Sequence, residues 1–139
     1  MTSVPAQPRF FVDRGLGAVV VPSGLRAAGW DLTTMDERYG PGRSQLVCDV
    51  DWIRDATAQG ECLLTKDCAI ARRPAEAAVV AMCDARVFAL ADARLTGPQM
   101  LDQLLAHQST VFRMAVRATG PFVAAIGQSG VRRRRLAYP

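Results

Sequence analysis

Four aspartates carry the strongest chemical signal in this sequence. Asp13 ends the apolar run RFFV, Asp67 lies just past the apolar run CLLT, and Asp49 and Asp51 open the segment that leads into that second run. Clustered carboxylates repel one another and raise one another's pKa, and a divalent cation removes that repulsion. Mg²⁺ is bound by a few carboxylates, waters and substrate phosphates, and such an ion holds a phosphate for attack by water. If these acids converge, they predict a metal site for phosphate chemistry.

Strands that alternate with helices are predicted to position these acids. The predicted strands are RFFVD, WDLTT, CLLT, RVFAL and PFVAAI, with VRRRRLAY as a last edge strand or a tail. Helices are predicted over residues 19–28, 49–59 (with Asp49 as its cap) and 75–82, and a fourth begins at the capping box of Thr96 and Gln99 and continues to about Ala115. The segment MDERYGPGRS is predicted to be an exposed loop. This alternation predicts an α/β fold with a mostly parallel sheet covered on both faces.

The four acids are expected at one edge of that sheet. In open α/β folds the active crevice lies beyond the carboxyl ends of the strands, where Asp13 and Asp67 end the first and third strands. Right-handed crossovers bring the loop that carries Asp49 and Asp51 to the same side. Any one of these acids could be a helix cap or a turn residue, so it is their convergence that favours a site. Two weaker candidates, Asp84 and Asp92, flank the fourth strand.

Five short blocks resemble a known family in their order along the chain. FFVDRGLG, DVDWI, LLTKD, RRPAE and LTGPQM, spread from Arg9 to about Leu136, resemble the PIN-like branch of VapC-type toxins. The resemblance implies a PIN-like three-layer α/β/α sandwich and a ribonuclease site that depends on Mg²⁺ or Mn²⁺. It also implies an RNA substrate and a cognate VapB-like antitoxin, and it is compatible with a homodimer.

The resemblance also assigns roles to the acids. Asp13 matches the first-strand acid, Asp67 the acid of the TKD motif, and Asp49 the acid three places before the tryptophan, with Asp51 in a neighbouring position that is often acidic. The resemblance thus implies catalysis by all four and metal binding by Asp13, Asp49 and Asp67. Gly15 stands where the family commonly has Asn, and residues 68 and 69 stand where relatives often carry an acid or a lysine. The identity of a fourth ligand therefore stays open.

Basic residues lie close to the predicted site and at the end of the chain. Lys66, Arg72 and Arg73 fall just past the acidic edge, where they could bind RNA phosphates or be solvated surface residues. Residues 116–139 contain five arginines and no acid, and four of them form the run Arg132 to Arg135. This run is either a phosphate-binding element or a solvated strand or tail, and the sequence leaves both interpretations open.

Composition limits the class of protein. The chain has 139 residues, of which 50% are hydrophobic, and a formal charge of +4, so we expect a single PIN-like domain over residues 1–139 with a flexible arm at 1–8. There is no apolar run long enough for a membrane span and no visible export signal, so a cytoplasmic protein without membrane contact is expected. The four cysteines lack metal-site spacing and are interpreted as reduced packing residues.

Three functions from different classes fit these patterns. The leading one is a metal-dependent endoribonuclease that acts as the toxin of a type II, VapBC-like toxin–antitoxin system. The second is a PIN-like module that has lost catalysis and binds RNA or protein. The third, a receiver-type phospho-acceptor domain, also places acids after its first and third strands. A receiver domain needs a lysine at the end of its last strand, and PFVAAIGQSG supplies none.

Overall fold

Six strands form one sheet in the computed structural model, which describes residues 7–138. The strand order is β2-β1-β3-β4-β5-β6; all neighbouring pairs are parallel except β5 and β6, which are antiparallel. The strands are β1 (Arg9–Val12), β2 (Asp31–Thr34), β3 (Cys62–Thr65), β4 (Arg86–Leu90), β5 (Phe122–Ile126) and β6 (Val131–Arg134). The prediction of a mostly parallel central sheet is confirmed.

Helices cover both faces of the sheet, because alternate residues of each strand point to opposite sides. One face presents Phe10, Leu64 and Phe88 to the helices α1 (Val20–Ala27), α5 (Gly97–Ala106) and α6 (Gln108–Arg117). The other face presents Phe11, Leu63 and Val87 to α2 (Met35–Tyr39), α3 (Asp49–Ala58) and α4 (Pro74–Cys83). The predicted three-layer α/β/α sandwich is therefore also confirmed.

One predicted loop is a helix. The segment MDERYGPGRS begins with α2, which starts at a capping box: Thr34 Oγ1 accepts from the Glu37 amide at 3.2 Å, and Glu37 Oε1 accepts from the Thr34 amide at 2.9 Å. Arg38 fixes the helix further through two hydrogen bonds, of 2.5 and 2.7 Å, to the buried carboxylate of Glu61. The loop prediction was wrong for residues 35–39 because a short helix can be held by its cap and by tertiary ion pairs, here Arg38–Glu61 and Arg26–Glu37.

Two helix boundaries also differ from the predictions. The helix that begins at the Thr96 capping box ends at Ala106, and a second helix begins at Gln108, so the predicted single helix is two. The N-cap of α3 is Cys48, and Asp49 is its first helical residue instead of its cap. The Asp49 carboxylate is therefore not used to cap the helix backbone.

The predictions for the two ends of the chain have different outcomes. The arginine-rich segment is an edge strand, β6, which settles the choice between strand and tail for residues 131–134. The predicted flexible arm falls mostly on residues 1–6, which lie outside the described residues; Gln7 donates from Nε2 to the Gly29 carbonyl at 3.1 Å. The single-domain assignment stays a prediction. Among residues 7–138, no helix is long and apolar enough to cross a membrane.

Candidate active site

Asp13 is a largely buried carboxylate at the carboxyl end of β1. Its amide donates to the Leu64 carbonyl at 3.0 Å, which continues the pairing of β1 with β3, and the chain then turns through the short 3₁₀ segment Arg14–Leu16. Only 9% of Asp13 is exposed. Desolvation raises the pKa of its carboxyl group, and the nearby charge of Asp49 raises it further. Asp13 and Asp49 thus lie close enough to repel one another.

Thr65, the last residue of β3, joins two of the predicted acids. Its side chain is 1% exposed, and Oγ1 donates to Asp13 Oδ2 at 2.9 Å. The same oxygen accepts from the Asp67 amide at 3.1 Å. The hydrogen bond from Thr65 lowers the pKa of Asp13 and opposes part of the desolvation. Thr65 was not predicted as a site residue, although a polar residue that ends an apolar strand two places before an acid could have indicated it.

Asp49 reaches the same edge from the first turn of α3. Its Oδ1 accepts from Nε1 of the fully buried Trp52 at 2.9 Å, which fixes the carboxylate by a side chain of its own helix. The loop before α3 is held by Arg14, whose Nη1 donates to the carbonyls of Ser44 and Val47 at 3.0 and 2.9 Å. Arg14 was not predicted as a site residue either. Its two hydrogen bonds go to backbone carbonyls and not to a carboxylate, and by holding the loop they position Asp49 beside Asp13.

The Asp67 carboxylate also lies at this edge, but both of its oxygens already have other partners. Its Oδ1 accepts from the Ala69 amide at 3.0 Å and caps the 3₁₀ segment Cys68–Ala71. Its Oδ2 forms an ion pair with Arg73. The Arg73 Nε also lies 3.3 Å from Glu76 Oε1 without hydrogen-bond geometry. The structure therefore places Arg73, a predicted RNA-binding residue, between two carboxylates.

The structure does not bring Asp51 to Asp13. Residues two apart on a helix do not share a face, and Asp51 is exposed on a side of α3 away from Asp49. Its Oδ2 accepts from the Cys48 thiol at 3.0 Å, and its Oδ1 lies 3.7 Å from Arg54. It lines a shallow concavity together with Tyr39 and Asp55. Its predicted catalytic role stays a prediction without support from this geometry.

Lys66 lies beside Asp13, and Arg72 follows the short segment that Asp67 caps. The absent Cβ of Gly15 would lie 3.3 Å from the Cγ and Cε atoms of Lys66 and 3.4 Å from Asp13 Oδ2, so glycine leaves room for the lysine stem beside the carboxylate. Arg72 is exposed at the end of the 3₁₀ segment that follows Asp67. The binding of RNA by Lys66 and Arg72 stays a prediction.

The two weaker candidates lie at opposite ends of β4. Asp84 ends α4 in a left-handed conformation (φ 58°) before the strand starts, so it lies at the edge away from the site. Asp92 follows the carboxyl end of β4, where its Oδ1 accepts from the Arg94 amide at 2.9 Å. A cavity of about 600 Å³ lies beside Asp92, and none of the four predicted acids lines it.

Comparison with known proteins decides the family. The family model described as PIN like domain matches residues 8–92, which contain all four predicted acids. The chain belongs to the PIN-like domain family. It is 38% identical over 121 residues, 87% of either chain, to a Mycobacterium tuberculosis protein named "Putative ribonuclease VapC45". The resemblance to the PIN-like branch of VapC-type toxins is thereby confirmed. The comparison with solved structures gives no significant match.

The PIN-like family implies a divalent ion, and the donor set fits it in part. Mg²⁺ is commonly held by one or two carboxylates together with water and substrate phosphates. Asp13 and Asp49 supply two such carboxylates, and their mutual repulsion favours a cation between them. Within residues 7–138 no three acidic, cysteine or histidine side chains are grouped so that they could share an ion. Asp67 would need to leave Arg73 to become the third ligand.

Proposed function

We propose that this protein is an endoribonuclease that hydrolyses RNA phosphodiester bonds at the Asp13–Asp49 edge with Mg²⁺ or Mn²⁺. The observation that carries the proposal is a buried carboxylate whose pKa is raised by desolvation and by a second acid, at the carboxyl edge of a parallel sheet. The PIN-like family and the name of the Mycobacterium tuberculosis relative support ribonuclease chemistry for such an edge.

Each residue of the edge has a separate task in this proposal. Asp13 and Asp49 would hold the ion, which would supply charge neutralisation at a phosphate and activation of water. Asp67 would become a third ligand if it left Arg73, and the freed guanidinium would then be available to a phosphate oxygen. Thr65 keeps Asp13 oriented and lowers its pKa, which favours the ionised form that binds a cation. Lys66 and Arg72 attract the RNA backbone.

The biological role that we propose is that of the toxin in a type II, VapBC-like pair. Its partners would be RNA and a VapB-like antitoxin, and its site of action the cytoplasm, where the RNA substrate is found. The proposal rests on the family and on the relative's name. A small antitoxin-like reading frame next to the gene would support it independently.

The test combines RNA cleavage with growth. Purified protein should cleave single-stranded RNA when Mg²⁺ or Mn²⁺ is present, and its expression alone should arrest growth of a related bacterium. Asp13→Asn should lose both effects, with cleavage reduced by at least 10²-fold as expected for loss of an essential electrostatic group, about 3 kcal/mol. Asp31→Asn is the matched control. Asp31 is exposed and is the first residue of β2, so it lies at the amino end of the parallel strands, away from the acids at their carboxyl end.

One observation favours a second function. Arg73 neutralises Asp67, and this pairing is what a PIN-like module without catalysis would show. Such a module would bind RNA without metal and leave it intact. Equal RNA survival with wild type, Asp13→Asn and no protein, together with metal-independent binding, would replace the ribonuclease proposal by this one.

A further inference from the structure

The arginine run of β6 is divided between the two faces of the sheet. Arg132 and Arg134 pair with Ala125 and Val123, so their side chains share the face covered by α3 and α4. Arg133 pairs with Ala124 and lies on the opposite face, with its guanidinium carbon 4.9 Å from the centroid of the Phe122 ring. The four arginines therefore do not form a single surface of equivalent residues.

Arginines from distant parts of the chain line one concavity. Arg134 and Arg135 meet Arg72 around a cavity of about 480 Å³, which is also lined by Cys68, Ala71 and Ala91. The chain after β6 is held there by a hydrogen bond of 2.8 Å from the Ala137 amide to the Ala71 carbonyl. The Arg134 guanidinium lies beside the Cys68 sulfur and contributes to lowering its pKa, although burial raises that pKa on balance.

The positive charge of this concavity is not balanced by the residues that line it. No acid lines it, and within residues 7–138 none of Arg72, Arg134 and Arg135 takes part in an ion pair. Three guanidinium groups around one cavity repel each other unless an anion joins them. Guanidinium forks match the oxygens of a phosphate in a bidentate manner, so a phosphodiester is the anion that fits best.

The concavity adjoins the acidic edge. Cys68 directly follows Asp67, and its thiol hydrogen-bonds the Leu90 carbonyl at 3.3 Å, so the cavity spans from the end of β3 to the end of β4. A strand of RNA that crosses the acids would continue towards β6 over this surface. We propose that Arg72, Arg134 and Arg135 bind a backbone phosphate of the RNA strand next to the cleaved bond, and that Arg133 does not. This inference rests on the proposed function for its substrate.

The test measures how RNA affinity depends on salt. A fluorescein-labelled oligouridylate is titrated in EDTA, where cleavage does not interfere, over a series of NaCl concentrations. Arg72→Gln and Arg134→Gln should each weaken binding and reduce the slope of log K against log salt by about 0.7, the value for one phosphate contact on a single strand. Arg133→Gln is the matched control and should keep the wild-type slope. Arg134→Lys retains the positive charge, so it should keep the wild-type slope of log K against log salt.

Each outcome decides for or against the pocket. Wild-type slopes in Arg72→Gln and Arg134→Gln, an equal loss in Arg133→Gln, or no binding of oligouridylate by wild type would each overturn it. If Arg72→Gln and Arg134→Gln keep the wild-type salt slope for RNA but lose the binding of polyglutamate that wild type shows, the pocket binds an acidic protein instead. Arg72 and Arg134, the two pocket residues that are substituted, lie on separate segments, and melting curves of the variants exclude misfolding as the cause of a loss. If wild type shows the pocket-dependent slope but cleaves no RNA with Mg²⁺ or Mn²⁺, the proposed function fails and the phosphate pocket stands.

Discussion

At the scale of single residues, Asp13 is the acid of the candidate site whose pKa is raised by its burial. Its folded-state pKa is raised above the ordinary value of 3.8, so the folded protein binds its proton more tightly than the unfolded chain does. The contribution of Asp13 to stability therefore falls as the pH rises from the unfolded pKa through the folded one. The ionised Asp13 opposes folding, and a cation bound at this edge would reverse that effect.

The pH dependence of stability tests this description of Asp13. Asp13→Asn removes the ionisation, so the variant should gain stability relative to wild type as the pH rises from about 4 to about 8 in metal-free buffer. Urea denaturation at each pH gives the difference in unfolding free energy. Asp31→Asn, at an exposed position, should follow the wild-type curve. A constant difference between wild type and Asp13→Asn across this range would show that Asp13 keeps an ordinary pKa.

Thr65 is the second residue whose chemistry can be isolated. Thr65→Val keeps the shape but removes the hydroxyl that serves both Asp13 and the Asp67 amide, so we expect a loss of about 1–3 kcal/mol of unfolding free energy. The pKa of Asp13 should rise further, because the hydrogen bond that lowers it is gone. Denaturant titration measures the loss, and Thr65→Ser, which retains the hydroxyl, should recover most of it. Full stability in Thr65→Val would mean that water replaces the hydroxyl.

At the scale of elements, the sequence predicts most of the sheet because its strands are apolar runs between clear turn residues. The runs RFFV, CLLT and RVFAL could be assigned from composition alone, and the Thr96–Gln99 capping box fixed the start of α5. The helix α2 could not be assigned in this way, since its five residues are too few to show an apolar periodicity and are held by the tertiary ion pairs Arg26–Glu37 and Arg38–Glu61. The break between α5 and α6 leaves the apolar spacing nearly unchanged.

The same limit applies to the site. Asp13 and Asp67 were predicted as site residues because each acid follows a strand, and the end of a strand can be recognised in a sequence. The pairing of Asp67 with Arg73, the bridging role of Thr65 and the separation of Asp51 from Asp49 depend on side-chain directions in three dimensions. Sequence patterns predict which edge is functional, whereas the partners of each carboxylate come only from the fold.

The packing of α5 against the sheet gives a prediction at this scale. Leu104 is 1% exposed within the cluster that includes Phe10 and Phe88, so Leu104→Ala should lower the unfolding free energy by about 2–5 kcal/mol. Leu46→Ala is the control, because Leu46 is 83% exposed and its loss should change little. Urea denaturation monitors both. A wild-type midpoint for Leu104→Ala would place this face of α5 outside the core.

At the scale of the whole molecule, charge is sorted along one edge of the sheet. Asp13 and Asp49 lie at the end of β1, whereas Arg72, Arg134 and Arg135 surround the cavity that extends towards β6. The salt bridge from Arg73 to Asp67 stands between these two regions. A formal charge of +4 is too small to account by itself for the proposed RNA binding, so the local arrangement of charges matters more than the total.

The salt bridge between the two regions decides whether the site has two carboxylate ligands or three. A ligand bound only by the folded protein raises its stability, by about 2.7 kcal/mol when its concentration is 100 times its Kd. Mn²⁺ should therefore raise the melting temperature of wild type, and Asp13→Asn or Asp49→Asn should lose most of that increase. In metal-free buffer Arg73→Gln should cost little, at most about 1 kcal/mol, because the pair is partly exposed.

Arg73→Gln gives the decisive comparison in this melting series. If Asp67 is a ligand, the variant no longer has a cation competing for Oδ2, so its Mn²⁺-induced shift should exceed that of wild type, and Asp67→Asn should show a smaller shift than wild type. If Asp13 and Asp49 bind the ion alone, both variants should show the wild-type shift. Arg54→Gln, which removes an exposed partner of Asp51, serves as the charge control. Equal shifts in all the variants, including Asp13→Asn, would remove the metal site from this edge altogether.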